Sequence, residues 1–364
     1  MAIRVLHVLN GLGSGGTEAF IMNVYRAIDR EKVQFDFLVR STENSAHEEE
    51  VRRLGGNIYV TPEFPRHFLK NKKAVKKFFQ QHANEYSAVH VHANALMYVE
   101  PLKAAKKAGV KQIIMHSHNT QAYNPLYKMW HNFNKKRIGR WATKRFACSK
   151  AAGEWMHGDG FTVVNNGIDL KKFTFSQEKR EEMRTALKMG DAFVVGHVGR
   201  FVPVKNHAFL LEIFEEIKKL RTDAKLLLVG DGELFKSVQE SVKQKNLTDD
   251  VIFVGSVGNV QDYLQAMDVF LLPSKYEGLG IVLVEAQSCG LRCVVSNVIP
   301  DDGFLNNMVS VLGLKESAKT WATKTVEEAE KHTRKCQIRA FEEKGYTVES
   351  TAQFLQEIYL TEKE

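Results

Sequence analysis

Cysteine is scarce in this chain, with 4 in 364 residues. Cys148, Cys289, Cys293 and Cys336 form no C-x2-C pair, which excludes a metal ribbon, and they are expected as reduced thiols, mostly buried. Long apolar runs are missing too. None approaches the ~18 residues of a membrane span, so the chain is not expected to cross a bilayer. No repeat at a solenoid period and no low-complexity tract occurs, which excludes a stacked-repeat architecture. Met1 runs straight into the apolar stretch Ile3 to Leu9 with no charged leader and no small-residue cleavage site, so a cytoplasmic protein is expected.

What is present is an ordinary globular composition, 44% hydrophobic and 26% charged, at a length that suits two domains of about 150 to 200 residues each. The first half alternates short apolar runs with longer amphipathic ones. Ile3 to Leu9, Phe35 to Val39, Asn57 to Val60, Val89 to Val91, Gln112 to Met115 and Arg145 to Ala147 are predicted strands with helices between them. Such alternation predicts an α/β fold with a parallel sheet wound on both faces and ligands at the carboxyl ends of its strands. The turn residues after Val163 and Val164, Asn165 to Asp169, mark a domain boundary. Beyond it the pattern restarts with Phe193 to Val198, Lys225 to Val229, Val251 to Val254, Val269 to Leu272 and Cys293 to Ser296 as a second sheet. The predicted domains are residues 1–170 and 171–345, followed by a tail, 346–364, with apolar residues at helical spacing.

Charge is spread unevenly. Of the net +8, residues 1–170 carry 25 Lys and Arg against 14 Asp and Glu, a balance of +11, and the remainder balances at −3. Within the basic half, Arg66 to Phe79 and Tyr127 to Phe146 interleave aromatics with Lys and Arg. This mixture suits an anionic membrane surface or single-stranded nucleic acid. It also suits a helix whose aromatics pack inward under solvated lysines.

The stretch Leu271 to Gly290, LLPSKYEGLGIVLVEAQSCG, reads as strand, loop and helix. Gly278 and Gly280 permit close backbone approach, and the following helix directs unpaired amides and its positive dipole end to the same spot, which suits a phosphate. Glu277 precedes the glycines, and Glu285 interrupts the apolar helix eight residues later, where a carboxylate needs a hydroxyl partner or water. On the loop Gly199 to Asn206, Arg200 and Lys205 are two fixed cations that can bridge the phosphates of a nucleoside diphosphate. No Asp-x-Asp ends a strand, and Asp301-Asp302 falls in a polar loop, so no metal is expected to be required. His116-Ser117-His118-Asn119 follows a predicted strand at its carboxyl end. Gly11 to Gly16 also satisfies the dinucleotide pattern G-x-G-x-x-G, so a dehydrogenase is an alternative. Its ribose-holding acid would have to be Asp36, which lies inside a strand rather than at its end; the strand ends at Arg40-Ser41-Thr42, which leaves an NADP variant open.

PSKYEGLGIVLVEAQSCG resembles the Glu-x7-Glu signature of retaining glycosyltransferases of family 4, family 1 of domain classifications. GGTE at Gly15 to Glu18, HSHN at His116 to Asn119, VNNGID at Val164 to Asp169, GRFVPVKN at Gly199 to Asn206 and VGDGEL at Val229 to Leu234 follow in the family's order. The wording is nearest to bacterial capsular and exopolysaccharide transferases. Two positions depart from it: Arg292 stands where Gly-Leu-Pro is usual, and Gly280 where Pro is frequent.

The resemblance implies a GT-B fold, two Rossmann-like parallel-sheet domains facing a central cleft. The first would bind acceptor, the second nucleotide sugar, and the tail helix would cross back to the first. It implies retaining transfer from a nucleoside-diphosphate sugar, with UDP expected, to a hydroxyl of a lipid-linked or glycan acceptor in capsular or exopolysaccharide synthesis. His118 and Glu277 would be the catalytic pair, facing the donor sugar. Gly16, Arg200, Lys205, Gly278, Leu279, Gly280 and Glu285 would bind the donor, with Glu285 on the ribose. No cofactor or metal is implied. The expected partners are the nucleotide sugar, the acceptor and an anionic membrane, with no nucleic acid, and the expected location is peripheral at the inner face of the plasma membrane. The alternatives are a GT-B epimerase or phosphorylase, and a non-catalytic protein that binds anionic surfaces.

Overall fold

The computed structural model describes residues 2–13, 15–43, 45–120, 125–331, 334 and 338–361. The chain divides into two compact units: Met1–Ile168 together with Gly345–Glu364, and Asp169–Lys344.

The first unit is built on a seven-stranded parallel sheet. Its strands are β1 (Ile3–Val8), β2 (Val33–Val39), β3 (Ile58–Val60), β4 (Ala88–Ala93), β5 (Gln112–Ser117), β6 (Lys144–Ala147) and β7 (Thr162–Val163), in the order β3-β2-β1-β4-β5-β6-β7. Strand order reverses beside β1, which pairs with β2 on one side and β4 on the other. Apolar layers cover both faces. One contains Phe20, Tyr25, Phe35, Phe37 and Ile114; the other contains Leu6, Val89, Val91, Ile113 and Met115. Because side chains alternate across a strand, these near-continuous Val, Ile and Leu runs bury both faces at once.

The segment after Lys344 completes this unit. Ile168 donates its N–H to Tyr346 O at 3.0 Å, Val348 N donates back to Ile168 O at 3.0 Å, and the helix Val348–Leu360 inserts Ala352, Leu355 and Tyr359 into the first apolar layer. Gly167 permits the approach: a Cβ there would stand 2.3 Å from Thr347 O.

The second unit repeats the plan with β8 (Val194–Val198), β9 (Lys225–Val229), β10 (Val251–Gly255), β11 (Val269–Leu272), β12 (Arg292–Ser296) and β13 (Val309–Leu312), in the order β10-β9-β8-β11-β12-β13. Sequence reading ends this sheet at Ser296. The structure adds β13, a four-residue edge strand paired with β12, whose partly exposed residues and interrupting Ser310 give no continuous apolar run. Directly after the boundary residues, Leu170–Phe173 form a short helix capped by Asp169. Of the cysteines, Cys148, Cys289 and Cys293 are buried and form no disulfide among the described residues; Cys336 lies outside the described residues.

Candidate functional site

Both strand-order reversals carry the motifs singled out in the sequence, as expected for ligand sites in doubly wound sheets. They belong to different units and are described in turn.

In the first unit, Gly16 is the exposed first residue of the helix Gly16–Ala27, just beyond β1. His118 follows β5 directly and is half-buried, its N–H donating to Ala93 O at 3.2 Å. Behind it lies an array that sequence reasoning missed. His7 on β1, His90 and His92 on β4, and His116 on β5 are all buried, and they join His118 in two hydrogen-bonded lines. One runs from His7 Nδ1 to His92 Nε2 at 3.0 Å and from His92 Nδ1 to His118 Nε2 at 2.9 Å. The other runs from Tyr359 Oη to His90 Nδ1 at 2.7 Å and from His90 Nε2 to His116 Nδ1 at 3.1 Å. Burial pushes His7 and His118 down to about 3 and holds His90, His92 and His116 well below the ordinary imidazole value. All five are therefore neutral at physiological pH, and each offers one N–H and one lone pair. The signal was available: H-x-H at 90–92 and again at 116–118 puts each pair on one face of adjacent parallel strands.

Asp36, the acid that a dinucleotide reading requires, is fully buried and already committed. It accepts from Arg4 Nε at 2.7 Å, from the N–H of Asn57 at 2.7 Å and from Tyr86 Oη at 3.2 Å. No oxygen is left to face a ribose, and the dehydrogenase alternative that rests on this acid falls.

In the second unit the loop after β8 and the loop after β11 are tied together. Lys275 N donates to Val204 O at 2.8 Å, and Asn206 Nδ2 to Pro273 O at 3.2 Å. Gly230 sits at φ +135 with its Cβ position 2.2 Å from Gly199 O, so the VGDGEL loop packs directly beneath the arginine-bearing loop. Arg200 itself is exposed. Lys205 donates from Nζ to Glu277 Oε1 at 2.6 Å, and Ser274 Oγ donates to the same oxygen at 2.8 Å. Glu277 leads into Gly278 and Leu279, both buried, and then Gly280, which at φ +73 caps the helix Ile281–Ser288. The N–H groups of Leu279 and Gly280 have no acceptor among the described residues. Glu285, half-buried in that otherwise apolar helix, makes no side-chain hydrogen bond or ion pair among the described residues. Burial raises its carboxyl from 4.5 to about 7. The result is a set of donors and one waiting acceptor at the carboxyl ends of β8 and β11, a chemistry that fits a diphosphate joined to a ribose.

The two basic-aromatic stretches separate. On the helix Phe68–His82, Val75, Phe78 and Phe79 are buried while Lys72, Lys73, Lys76 and Lys77 are exposed, an amphipathic arrangement broken at the first turn, where Phe68 and Leu69 are exposed. The helix Pro125–Lys135 is inverted. Its buried residues are His131 and Asn134, held by Leu96 through N–H to His131 Nδ1 at 3.1 Å and Asn134 Nδ2 to Leu96 O at 2.7 Å. Met129, Trp130 and Phe133 are 58%, 56% and 49% exposed.

With this geometry in view, the chain can be set beside known proteins. The family described as Glycosyltransferase Family 4 matches residues 14–172, and that described as Glycosyl transferases group 1 matches residues 178–317. A protein of Bacillus subtilis (strain 168) named as a glycosyltransferase, EpsF, is 37% identical over 336 residues, 88% of this chain and 86% of that one. The capsular polysaccharide biosynthesis glycosyltransferase CapH of Staphylococcus aureus is 26% identical over 381 residues, 99% of both chains. Among solved structures, Anabaena HepE in complex with UDP-glucose is similar with a TM-score of 0.79 at 19% identity, over 98% of this chain and 99% of that one. WaaG, a glycosyltransferase involved in lipopolysaccharide biosynthesis, has a TM-score of 0.72 at 15% identity, covering 98% and 100%. At these identities the structural likeness is one of fold, and the fold is GT-B.

Proposed function

We propose that this chain, which belongs to the group 1 and family 4 glycosyltransferases, moves a hexose from a UDP-sugar to a hydroxyl of a lipid-linked or glycan acceptor. The anomeric configuration is retained, and the product enters a capsular or exopolysaccharide. The observation that carries the donor side is the second-unit constellation: Lys205 on Glu277, and amides at Leu279 and Gly280 and a carboxylate at Glu285 that have no partner among the described residues. Arg200, Lys205 and the amides from Gly278 to Gly280 receive the diphosphate, and Glu285 accepts from a ribose hydroxyl.

Transfer breaks the bond between the anomeric carbon and the phosphate oxygen, forms one to the acceptor oxygen, and passes the acceptor's hydroxyl proton to the leaving phosphate. Charge grows on that phosphate as the sugar becomes oxocarbenium-like. Preorganised donors aimed at it are worth the most, about 3 kcal/mol for one such donor. Glu277 grips a sugar hydroxyl, and His118, neutral and held from behind by His92, orients the sugar and its phosphate. The cations and amides supply the positive charge, so no metal is required. CapH supports the polysaccharide assignment by its name, EpsF supports glycosyl transfer by its own, and HepE supports UDP-sugar by the ligand of its structure.

The membrane side rests on the helix Pro125–Lys135, whose exposed Met129, Trp130 and Phe133 adjoin Lys135, Lys136, Arg137 and Arg140. Aromatic rings settle at the headgroup level while the cations meet anionic lipid. This supports a peripheral position at the cytoplasmic leaflet, where a lipid-linked acceptor would be presented.

The test is a panel of UDP-, GDP- and ADP-sugars in thermal-shift assays, followed by product analysis. UDP-sugars should stabilise the protein, free UDP should appear only when acceptor is supplied, and the new linkage should keep the donor's anomeric configuration by NMR. UDP released without acceptor would indicate an epimerase or hydrolase, and an inverted linkage would overturn the retaining assignment.

A further inference from the structure

The geometry points to a binding site for one divalent transition cation of the zinc class on His92, His116 and His118, whose occupation blocks sugar transfer. His92 and His116 are registered partners on adjacent parallel strands. His118 lies two residues beyond His116, so all three project from one face of the sheet. Each offers a ring nitrogen, and the three nitrogens lie within 4.8 Å of one another. His92 Nδ1 and His118 Nε2 are 2.9 Å apart, and His116 Nε2 is buried with no hydrogen-bond partner. The ring of Phe20 packs over His116 and His118, with centroids at 5.2 and 5.5 Å, walling the trio with hydrocarbon.

Metal-bound imidazole must present a lone pair and keeps its proton on the other nitrogen, usually donated to a second group that fixes the ring. The array satisfies that demand. With lone pairs turned to the cation, His92 keeps its proton on Nε2 and gives it to His7 Nδ1, and His116 keeps its proton on Nδ1 and gives it to His90 Nε2. His90 in turn donates from Nδ1 to Tyr359 Oη. Every ring is already neutral, so binding changes tautomers and releases no net proton. Zn–N bonds of 2.0–2.1 Å in a tetrahedron set ligand nitrogens roughly 3.4 Å apart. The close pair must open slightly and the third nitrogen move in, and His118, half-buried at the end of its strand, is the ring with room to turn.

The neighbouring trio His7, His90 and His92 also brings three nitrogens within 4.8 Å, but all three rings are buried and none opens a path for the ion. His118 provides that path. An all-imidazole set selects zinc, copper or nickel over magnesium, calcium or manganese, which prefer oxygen. The site is therefore compatible with a reaction that needs no added metal. The inhibitory half of the proposal rests on His118 serving the donor, as inferred above; the binding half does not.

Zinc titrated calorimetrically into the chelator-treated full-length protein should bind one ion per chain. The cobalt adduct should show the ligand-field bands of a nitrogen site without a sulfur-to-cobalt band. His116→Gln and His118→Ala should each weaken binding by more than about 10-fold, since losing a ligand costs more than the roughly 10-fold lower bound for losing a group that only hydrogen-bonds a ligand. His118→Ala, at a half-buried position, keeps the test available if the His116 variant does not fold. One equivalent of zinc should suppress transfer, and EDTA should restore it. Unchanged zinc affinity in a folded His118→Ala protein, a sulfur-to-cobalt band, or no binding by the parent would overturn the site. Full transfer activity with zinc bound would overturn the blocking role while leaving the donor assignments to their own assay.

Discussion

Lys205 and Glu277, 72 residues apart in the chain, are bonded to each other, Nζ to Oε1 at 2.6 Å, with side chains only 15% and 13% exposed. The lysine expected to meet the leaving diphosphate is thus held by the carboxylate expected to meet the sugar. The two act as one unit: donor binding must share or displace this contact, and the carboxylate keeps Ser274 Oγ as a second partner when it does.

Replacement should separate their roles. Lys205→Ala should lower kcat by roughly 100-fold, the value of one preorganised donor at about 3 kcal/mol, and should weaken UDP binding. Glu277→Gln should lower kcat comparably without weakening UDP, since it releases the lysine toward phosphate. Steady-state kinetics with calorimetry of UDP binding would check both, and weaker UDP binding to the Gln variant would show that the ion pair builds the phosphate site instead of competing with it.

Glu285 makes a pH-dependent prediction. Its carboxyl is raised from 4.5 to about 7 by burial, so the folded chain holds a proton that the unfolded chain releases between those values. That contribution to stability is fully present below about pH 4.5 and is lost as pH rises through about 7. Glu285→Gln should therefore be more stable than the parent at pH 8, by up to about 3 kcal/mol for a shift of this size, and the advantage should vanish near pH 4.5. A ribose hydroxyl favours the carboxylate, so UDP binding at pH 6.5 should release a proton, visible as a dependence of calorimetric enthalpy on buffer ionisation. Buffer-independent enthalpy, or a Gln variant that binds UDP as the parent does, would remove Glu285 from the nucleotide.

Chelation should not diminish transfer. If Arg200, Lys205 and the helix amides carry the charge compensation, EDTA leaves the rate with UDP-sugar unchanged or raises it by stripping trace zinc. Loss of activity on EDTA treatment, restored by magnesium or manganese, would assign that role to a cation.

Membrane attachment should depend on the inverted helix. Replacing Met129, Trp130 and Phe133 by Ser should abolish co-sedimentation with anionic vesicles, because the apolar contacts are lost while the buried His131 and Asn134 still pin the helix. Replacing Lys72, Lys73, Lys76 and Lys77 by Glu should weaken it less, since the exposed Phe68 and Leu69 of that helix remain and each lysine near the leaflet contributes about 1 kcal/mol. The reverse order of effects would return the contact to the first stretch.

The sequence made the donor side readable because its parts are contiguous: glycines, a capped helix and two glutamates at fixed spacing spell out a strand-loop-helix unit in one line. Pairings across strands are not written that way. Nothing near Lys205 announces Glu277, and His7, His90, His92 and His116 each pass for a core histidine until β1, β4 and β5 are placed side by side. Interleaved aromatics and lysines gave identical signals in two helices with opposite orientations, because the polar anchors of the second, His131 and Asn134, look like exposed residues in a list of polarities. β13 was missed because Val309 to Leu312 is an edge strand with no buried residue and a serine within it, so it lacks the continuous apolar run that marks β11 at equal length.

The return of residues 345–361 to the first unit has a consequence for biosynthesis. On the ribosome an N-terminal domain ordinarily folds first, but here the layer containing Phe35 and Ile114 waits for Ala352, Leu355 and Tyr359. The middle of the chain can finish folding while the beginning is still open, and the nascent N-terminal sheet must be shielded from aggregation until residues 346–360 have emerged. A stop codon placed before Tyr346 would leave the second unit whole and strand the first one, so premature termination here should yield insoluble protein rather than a shortened enzyme.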